Sequence, residues 1–169
     1  MRYNSKVQII FLAFIIITFP FAKYCYSGDN GNFIKRNRKC IKKCTKQASL
    51  LLRIKCYDKF IERSPENPDL YILRAKTYLK INKYNSAISD FIKVVELEPG
   101  NTEVYYAIAS TASLAHNKEY ALRWLKKALE AGFNDYQRIA TDSSLDNIRN
   151  SKEFKELMKK LNYELSSNK

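Results

Sequence analysis

The middle of the chain alternates between apolar and polar positions at helical spacing. Ile88, Phe91 and Val95 stand three and four positions apart, which is typical of an amphipathic helix. A polar pair at 82–83 separates this stripe from an earlier one, and a Pro-Gly pair at 99–100 follows its end. The pattern predicts two helices that are joined by a short turn.

The same pattern returns 34 residues later along the chain. The matched pairs are Tyr71 with Tyr105, Ala75 with Ala109, Ala87 with Ala121, Phe91 with Leu125, Val94 with Ala128, Asn67 with Asn101, Pro65 with Pro99 and Tyr57 with Phe91. Eight matches at one offset indicate an internal repeat. Small residues such as Ala75 and Ala87 favour a close crossing of two helices at those positions.

The unit at 68–101 resembles the tetratricopeptide repeat, a pair of antiparallel helices in 34 residues. The positions that match this family are Tyr71, Ala75, Tyr78, Ala87, Phe91 and Pro99. Arg74 departs from the family, which usually has leucine there. The resemblance implies an all-α fold: a short right-handed solenoid of antiparallel helix pairs with a C-terminal capping helix. It also implies that the chain binds other proteins.

The repeat divides the rest of the chain into segments. We expect a signal peptide at 1–27, a linker at 28–36, a degenerate helix pair at 37–67, repeat units at 68–101 and 102–135, and capping helices with a frayed tail at 136–169. Asn150 and Glu153 form a candidate capping box before the last helix, whose apolar stripe includes Phe154 and Leu157.

The first residues have the pattern of an export signal. Arg2 and Lys6 precede 16 uncharged residues at 7–22, which is shorter than the roughly 20 that a membrane-spanning helix needs. Small residues at Cys25 and Ser27 predict cleavage after Ser27. We therefore expect a secreted or periplasmic protein, with an uncleaved anchor at 7–22 as the alternative.

Composition argues against catalysis. The chain has one histidine and four isolated glycines, and it lacks a phosphate-binding loop, a His-Glu-x-x-His motif and a Cys-x-x-Cys pair. His116 falls at the predicted turn between two helices, and Trp124 is assigned to packing, with a partner contact as the alternative. We expect no enzyme activity, no metal site and no cofactor.

Charge suggests the class of partner. Lys and Arg number 30 against 17 Asp and Glu, a net charge of +13. Basic residues concentrate at 35–46, although lysine is common throughout the chain and a general bias explains this run equally well. We expect another protein or an acidic peptide, or an anionic envelope surface, as the partner, and no nucleic acid, since aromatic residues do not interleave with the charges.

The resemblance also assigns candidate binding residues. In this family the first helix of each unit lines a concave groove, which here implies Arg38, Lys42, Ile72, Lys76, Leu79, Tyr106 and Ser110. Some relatives hold the C-terminal carboxylate of a peptide with Lys and Asn at set positions. Leu73 and Ala107 occupy two of those positions here, so this clamp is not expected.

The resemblance also implies how the cysteines pair, because it sets which positions of the two helices lie opposite each other. Across an antiparallel pair of this family, Cys40 is displaced from Cys56 by roughly 3 Å along the axis and Cys44 by roughly 9 Å. We expect a Cys40–Cys56 disulfide with Cys44 free, provided that the protein is exported.

Overall fold

A computed structural model describes the backbone of residues 41–167 and the side chains of 41–159. The chain divides into two compact units, Met1–Lys46 and Gln47–Lys169. In the first unit, residues 41–45 are helical. The predicted signal peptide, cleavage site, linker and anchor all lie outside the described residues. The unit boundary falls inside the segment expected to form the first helix pair.

The described part of the second unit is helical throughout, and no strand occurs in it. Its helices are α1 (Leu50–Ile61), α2 (Pro68–Leu79), α3 (Tyr84–Leu97), α4 (Thr102–Leu114), α5 (Lys118–Glu130), α6 (Tyr136–Thr141), a 3₁₀ turn (Ser143–Leu145), α7 (Asp146–Arg149) and α8 (Lys152–Ser167). The predicted all-α class is therefore confirmed. From Leu50 to the end of α8, no helix has the length and apolar content to cross a membrane.

Two helix pairs repeat at an offset of 34 residues. We call α2 with α3 the first repeat and α4 with α5 the second repeat. Both turns between the paired helices contain a residue with positive φ, Asn82 at 56° and His116 at 59°. In both, the next backbone N–H donates to the carbonyl five residues earlier, at 2.9 and 3.0 Å. This bond closes the first helix of each repeat with a left-handed residue, which confirms the turn predicted at His116.

In each repeat, one tyrosine hydroxyl forms a hydrogen bond to the turn that precedes the repeat. The hydroxyl of Tyr71 donates to the carbonyl of Pro65, and that of Tyr105 donates to the carbonyl of Pro99, both at 3.0 Å. The repeat therefore preserves this hydrogen bond as well as the aromatic packing.

Alanines fill the helix crossings. Ala75 and Ala87 are fully buried in the first repeat, as are Ala109 and Ala121 in the second. A larger side chain at these positions would push the helices apart, since interiors are close-packed. Trp124 is also buried, with its ring 5.8 Å from that of Tyr105, centroid to centroid, which confirms its packing role.

The chain after the second repeat folds back onto it. We call residues 135–149, which contain α6, the 3₁₀ turn and α7, the C-terminal segment. Ile139, Leu145 and Ile148 are fully buried in the same core as the two repeats. The capping box predicted at Asn150 is wrong, because α8 begins at Lys152 and its cap is the Ser151 hydroxyl, which accepts from the Phe154 N–H at 3.2 Å.

Candidate functional site

One face of α2 is open to solvent. Asp69 and Lys76 are exposed on it, as is Lys80, which caps the end of the helix, and Ile72 and Leu73 are half-buried. We call these five residues the α2 face. They recur at three- and four-residue spacing, so they follow one side of the helix. The opposite sides of α2 are taken by contacts with α1 and α3.

The α2 face has two basic side chains without partners. Within the described residues, neither Lys76 nor Lys80 makes an ion pair or a side-chain hydrogen bond. Asp69 lies in the first turn of the helix, where a carboxylate is stabilised by the helix dipole. The face therefore has an acidic end, an apolar centre and a basic end.

The equivalent face of α4 is covered. Tyr106 is fully buried, and its ring stacks on Phe133 with 4.6 Å between centroids and 7° between planes. Its hydroxyl donates to Asp142 Oδ2 at 2.7 Å, and the guanidinium of Arg138 lies 4.4 Å from the ring centroid. Burial, reinforced by the Asp142 carboxylate, raises the pKa of Tyr106. The placement of Tyr106 in an accessible groove is therefore wrong, because the C-terminal segment occupies that space.

Polar contacts fix this cover along the length of α4. Arg138 forms an ion pair with Glu103 at 2.8 Å, and the side-chain amide of Asn147 donates to the Ser113 carbonyl at 3.2 Å. The predicted groove residue Ser110 is half-buried and donates to the Ala107 carbonyl at 3.1 Å. Of the two predicted groove residues on α4, Ser110 is therefore the one that remains partly accessible to solvent.

The other predicted groove residues are spread over several positions. Ile72, Lys76 and Leu79 all lie on α2, where Lys76 is exposed and both Ile72 and Leu79 are half-buried against the hydrophobic core. Lys42 is exposed and belongs to the first compact unit. Arg38 lies outside the described residues.

An ionic cluster inside the first repeat was missed by the sequence analysis. Arg74 donates to both carboxylate oxygens of Asp90, at 2.9 and 2.6 Å, and to Asp58 at 2.7 Å. It therefore joins α2 to α3 and to α1. The side chain of Asp90 is 6% exposed. Burial raises the pKa of the Asp90 carboxyl, although Arg74 opposes that effect. The available signal was Arg74 itself, a charged residue where the family usually has leucine.

Cysteines in the described part of the chain are oxidised. Cys44 and Cys56 are both disulfide-bonded, so the expectation of a free Cys44 is wrong. Cys40 lies outside the described residues, and its pairing with Cys56 stays a prediction.

Residues 56–89 match the sequence profile of a family described as tetratricopeptide repeat. Three curated proteins share similarity over about half of the chain. Protein SGT1 homolog of Oryza sativa subsp. japonica is 32% identical over 83 residues, covering 49% of this chain and 22% of that protein. A chloroplastic protein of Arabidopsis thaliana is 32% identical over 85 residues, covering 48% and 25%.

The third relative is the UDP-N-acetylglucosamine–peptide N-acetylglucosaminyltransferase of Giardia intestinalis. It is 26% identical over 86 residues, which are 49% of this chain and 6% of that enzyme. The chain thus spans a quarter or less of each of these three relatives.

A solved structure shows the same fold. The TPR2B domain of yeast Sti1, in a complex with pHsp70, superposes with a TM-score of 0.53 at 21% identity. The match covers 68% of this chain and 91% of that one. At this identity the likeness identifies a helical-repeat solenoid, as the sequence predicted. Residues 56–89 thus resemble a tetratricopeptide repeat in sequence, and the solved structure supports a helical-repeat fold for the larger part of the chain.

Proposed function

We propose that this protein is a non-catalytic scaffold that binds a segment of another protein on the α2 face. The observation that carries the proposal is the difference between the two repeats. The C-terminal segment covers the face of α4 around Tyr106, whereas the corresponding face of α2 is open around Ile72.

The chemistry of this face suits a peptide. Ile72 and Leu73 offer half-buried aliphatic surface, and Lys76 and Lys80 offer two exposed charges. A segment with acidic and aliphatic residues would complement both. The yeast Sti1 domain, whose structure is a complex with pHsp70, gives a precedent for peptide or protein binding by this fold.

The non-catalytic part of the proposal has a separate basis. The similarity to the Giardia transferase covers 6% of that enzyme, so its activity does not transfer to this chain. The open face itself contains one carboxylate and two ammonium groups, with Asp69 and Lys80 at opposite ends of α2. Groups so far apart do not form an acid–base pair, since general catalysis needs hydrogen-bond reach.

Site-specific photo-crosslinking tests the binding face. A photoreactive amino acid replaces Ile72 in the full chain, and a matched variant has it at Ser89, which is exposed on α3. We expect position 72 to yield a defined crosslinked partner that position 89 does not. Equal crosslinking at both positions, or none at position 72, would overturn the proposal.

We also propose that the protein is exported to an oxidising compartment. The disulfide-bonded state of Cys44 and Cys56 supports this, because disulfides persist mainly outside the reducing cytosol. An uncleaved leader that anchors the protein to a membrane is the alternative. N-terminal sequencing of exported material separates the two: a start at Gly28 indicates cleavage after Ser27, and a start at Met1 favours the anchor.

A further inference from the structure

The α2 face has a fixed spacing along the helix. Ile72, Lys76 and Lys80 follow each other at intervals of four residues, and with a rise of about 1.5 Å per residue neighbouring positions lie about 6 Å apart along the axis. In an extended chain, residues two positions apart are separated by about 6.6 Å and point to the same side. The two spacings nearly coincide.

We propose that the α2 face recognises an extended, internal segment of a partner in which two acidic residues stand two positions apart and an aliphatic residue stands two positions beyond them. The acidic side chains pair with Lys76 and Lys80, and the aliphatic one packs on Ile72 and Leu73. This inference rests on the proposed function and specifies the chemistry of its partner.

Charge limits the ligand to two acidic residues at these positions. Lys76 and Lys80 are the unpaired cations of the face, and Asp69 lies one turn beyond Ile72 in the other direction. A third carboxylate on the ligand would lie against Asp69 and be repelled. The aliphatic residue therefore belongs at that end of the segment.

The same charges favour an internal segment over a chain terminus. A terminal α-carboxylate adds a third negative charge, and the α2 face has no third cation to receive it. Leu73, half-buried at the centre of the face, would instead place aliphatic surface next to that charge. Burying an unpaired charge there is unfavourable.

The size of the face favours an extended ligand over a helical one. A bound amphipathic helix normally buries a broad apolar stripe. Here Ile72 and Leu73 supply the apolar surface of the α2 face, while the corresponding region of α4 is closed over Tyr106. A five-residue segment also forms no stable helix of its own.

Peptide binding to the full chain tests the spacing. The probes are fluorescent peptides, blocked at both ends, with the sequence Ser-Glu-Ser-Glu-Ser-Leu-Ser and its reverse. Both are needed because the contacts set the order of the ligand side chains along α2 but not whether the ligand backbone runs parallel or antiparallel to the helix. The control peptide has the same composition with adjacent glutamates, Ser-Glu-Glu-Ser-Ser-Leu-Ser, which place the two carboxylates on opposite sides of a strand.

We expect at least one spaced peptide to bind about fivefold more tightly than the control, as the loss of one or two exposed ion pairs implies. Equal affinity for spaced and adjacent glutamates would overturn the proposal. So would preferential binding of a helical peptide with glutamates four positions apart.

Paired charge reversals locate the interaction. The Lys76→Glu, Lys80→Glu variant should lose binding of the spaced peptide. A matched variant, Lys55→Glu with Lys118→Glu, changes the net charge equally at exposed positions on α1 and α5 and should retain it. Circular dichroism checks that both variants fold. Equal losses in the two variants would show a general charge effect and would overturn the proposal.

The crosslinking result distinguishes a failure of the inferred partner chemistry from a failure of the proposed function. If position 72 crosslinks a partner but no spaced peptide binds preferentially, the partner chemistry inferred here is wrong and the proposed function stands. If position 72 gives no specific crosslink, the proposed function itself fails.

Discussion

The first and second repeats have the same backbone frame and different interiors. Both close their first helix on a residue with positive φ, and both tie a tyrosine to a preceding proline carbonyl. Yet the position of Arg74 in the first repeat is taken by the fully buried Ile108 in the second, and Asp90 corresponds to the buried Trp124. A single helix-pair geometry thus accepts either an ionic cluster or apolar packing at the same crossing.

The repeats also differ on their outer side. The C-terminal segment buries Tyr106 on α4, whereas the equivalent side of α2, around Ile72 and Lys76, has no such cover among the described residues. The difference teaches that, of the two repeats, the first keeps an open outer side among the described residues, which is why the proposed binding face lies on α2.

Removal of Asp90 should have the largest effect on stability. Asp90→Ala leaves the partly buried Arg74 without its bidentate partner, and breaking such a pair costs about 3 kcal/mol. Chemical denaturation monitored by circular dichroism measures the loss. Ser89→Ala, the exposed neighbour, is the control. A loss below about 1 kcal/mol for Asp90→Ala would mean that the ionic cluster is not structurally important.

An apolar replacement sharpens the same comparison. If the two interiors are interchangeable, Arg74→Met with Asp90→Leu should recover most of the stability lost in Asp90→Ala, since well-packed apolar groups often replace buried ion pairs at little cost. The same denaturation experiment compares the two variants. A double variant as unstable as the single one would indicate that the first repeat requires its charges.

Enlarging the crossing alanines should have similar effects in both repeats. Ala87→Leu and Ala121→Leu each overpack a fully buried position, which typically costs about 1–3 kcal/mol. Thermal melts compare them with the exposed control Lys83→Leu, for which little change is expected. If either alanine variant behaves like the control, the register of that repeat has been misassigned.

Loss of the Tyr106 hydroxyl should loosen the cover on the second repeat. Tyr106→Phe removes a 2.7 Å hydrogen bond to Asp142, and we expect a loss of about 1.5 kcal/mol, as for bonds to charged groups. Tyr105→Phe is the matched control, because its exposed hydroxyl bonds only to a backbone carbonyl. Equal losses would contradict the special role of the contact with Asp142.

Acid should affect two hydrogen-bonded carboxylates in opposite directions. Burial tends to raise the pKa of Asp142, but hydrogen bonds from Tyr106 and Ser144 outweigh burial and hold it below its ordinary value. The stabilisation from Asp142 is therefore present above the unfolded pKa of about 3.9 and lost as pH falls through the folded value. The pKa of Asp90 is raised, so its contribution increases as pH falls towards that unfolded pKa.

Measuring the unfolding free energy at several pH values checks these opposite pH dependences. The proteins compared are the wild type, Asp142→Asn and Asp90→Asn. The difference in unfolding free energy between the wild type and Asp142→Asn should shrink below about pH 4. The difference between wild type and Asp90→Asn should shift in favour of the wild type between neutral pH and about pH 4. A shift in the same direction for both would contradict the assigned environments.

Local and periodic features could be predicted from the sequence. The 34-residue offset identified both helix pairs, and small or aromatic residues such as Ala87 and Tyr71 identified their crossings. Both predictions were possible because helix periodicity and side-chain volume depend only on the order and type of neighbouring residues. The turn at His116 followed from the same spacing.

Long-range contacts could not be predicted in this way. Tyr106 is covered by Asp142, 36 residues further along the chain, and no periodic signal links the two. Arg74 was recognised as a departure from the family, but its partners come from two other helices. Such pairs depend on how separate elements dock, which a repeat pattern from one sequence does not specify.

Chemical-shift mapping tests the central claim most directly. The ¹⁵N-labelled full chain is titrated with the partner segment that crosslinks to position 72. The account predicts the largest backbone shifts at residues 72–80, along α2 and its C-cap, and little change at Tyr106, which remains under the C-terminal segment. Shifts centred on Tyr106, or on the exposed side of α3 around Ser89, would contradict binding on the α2 face.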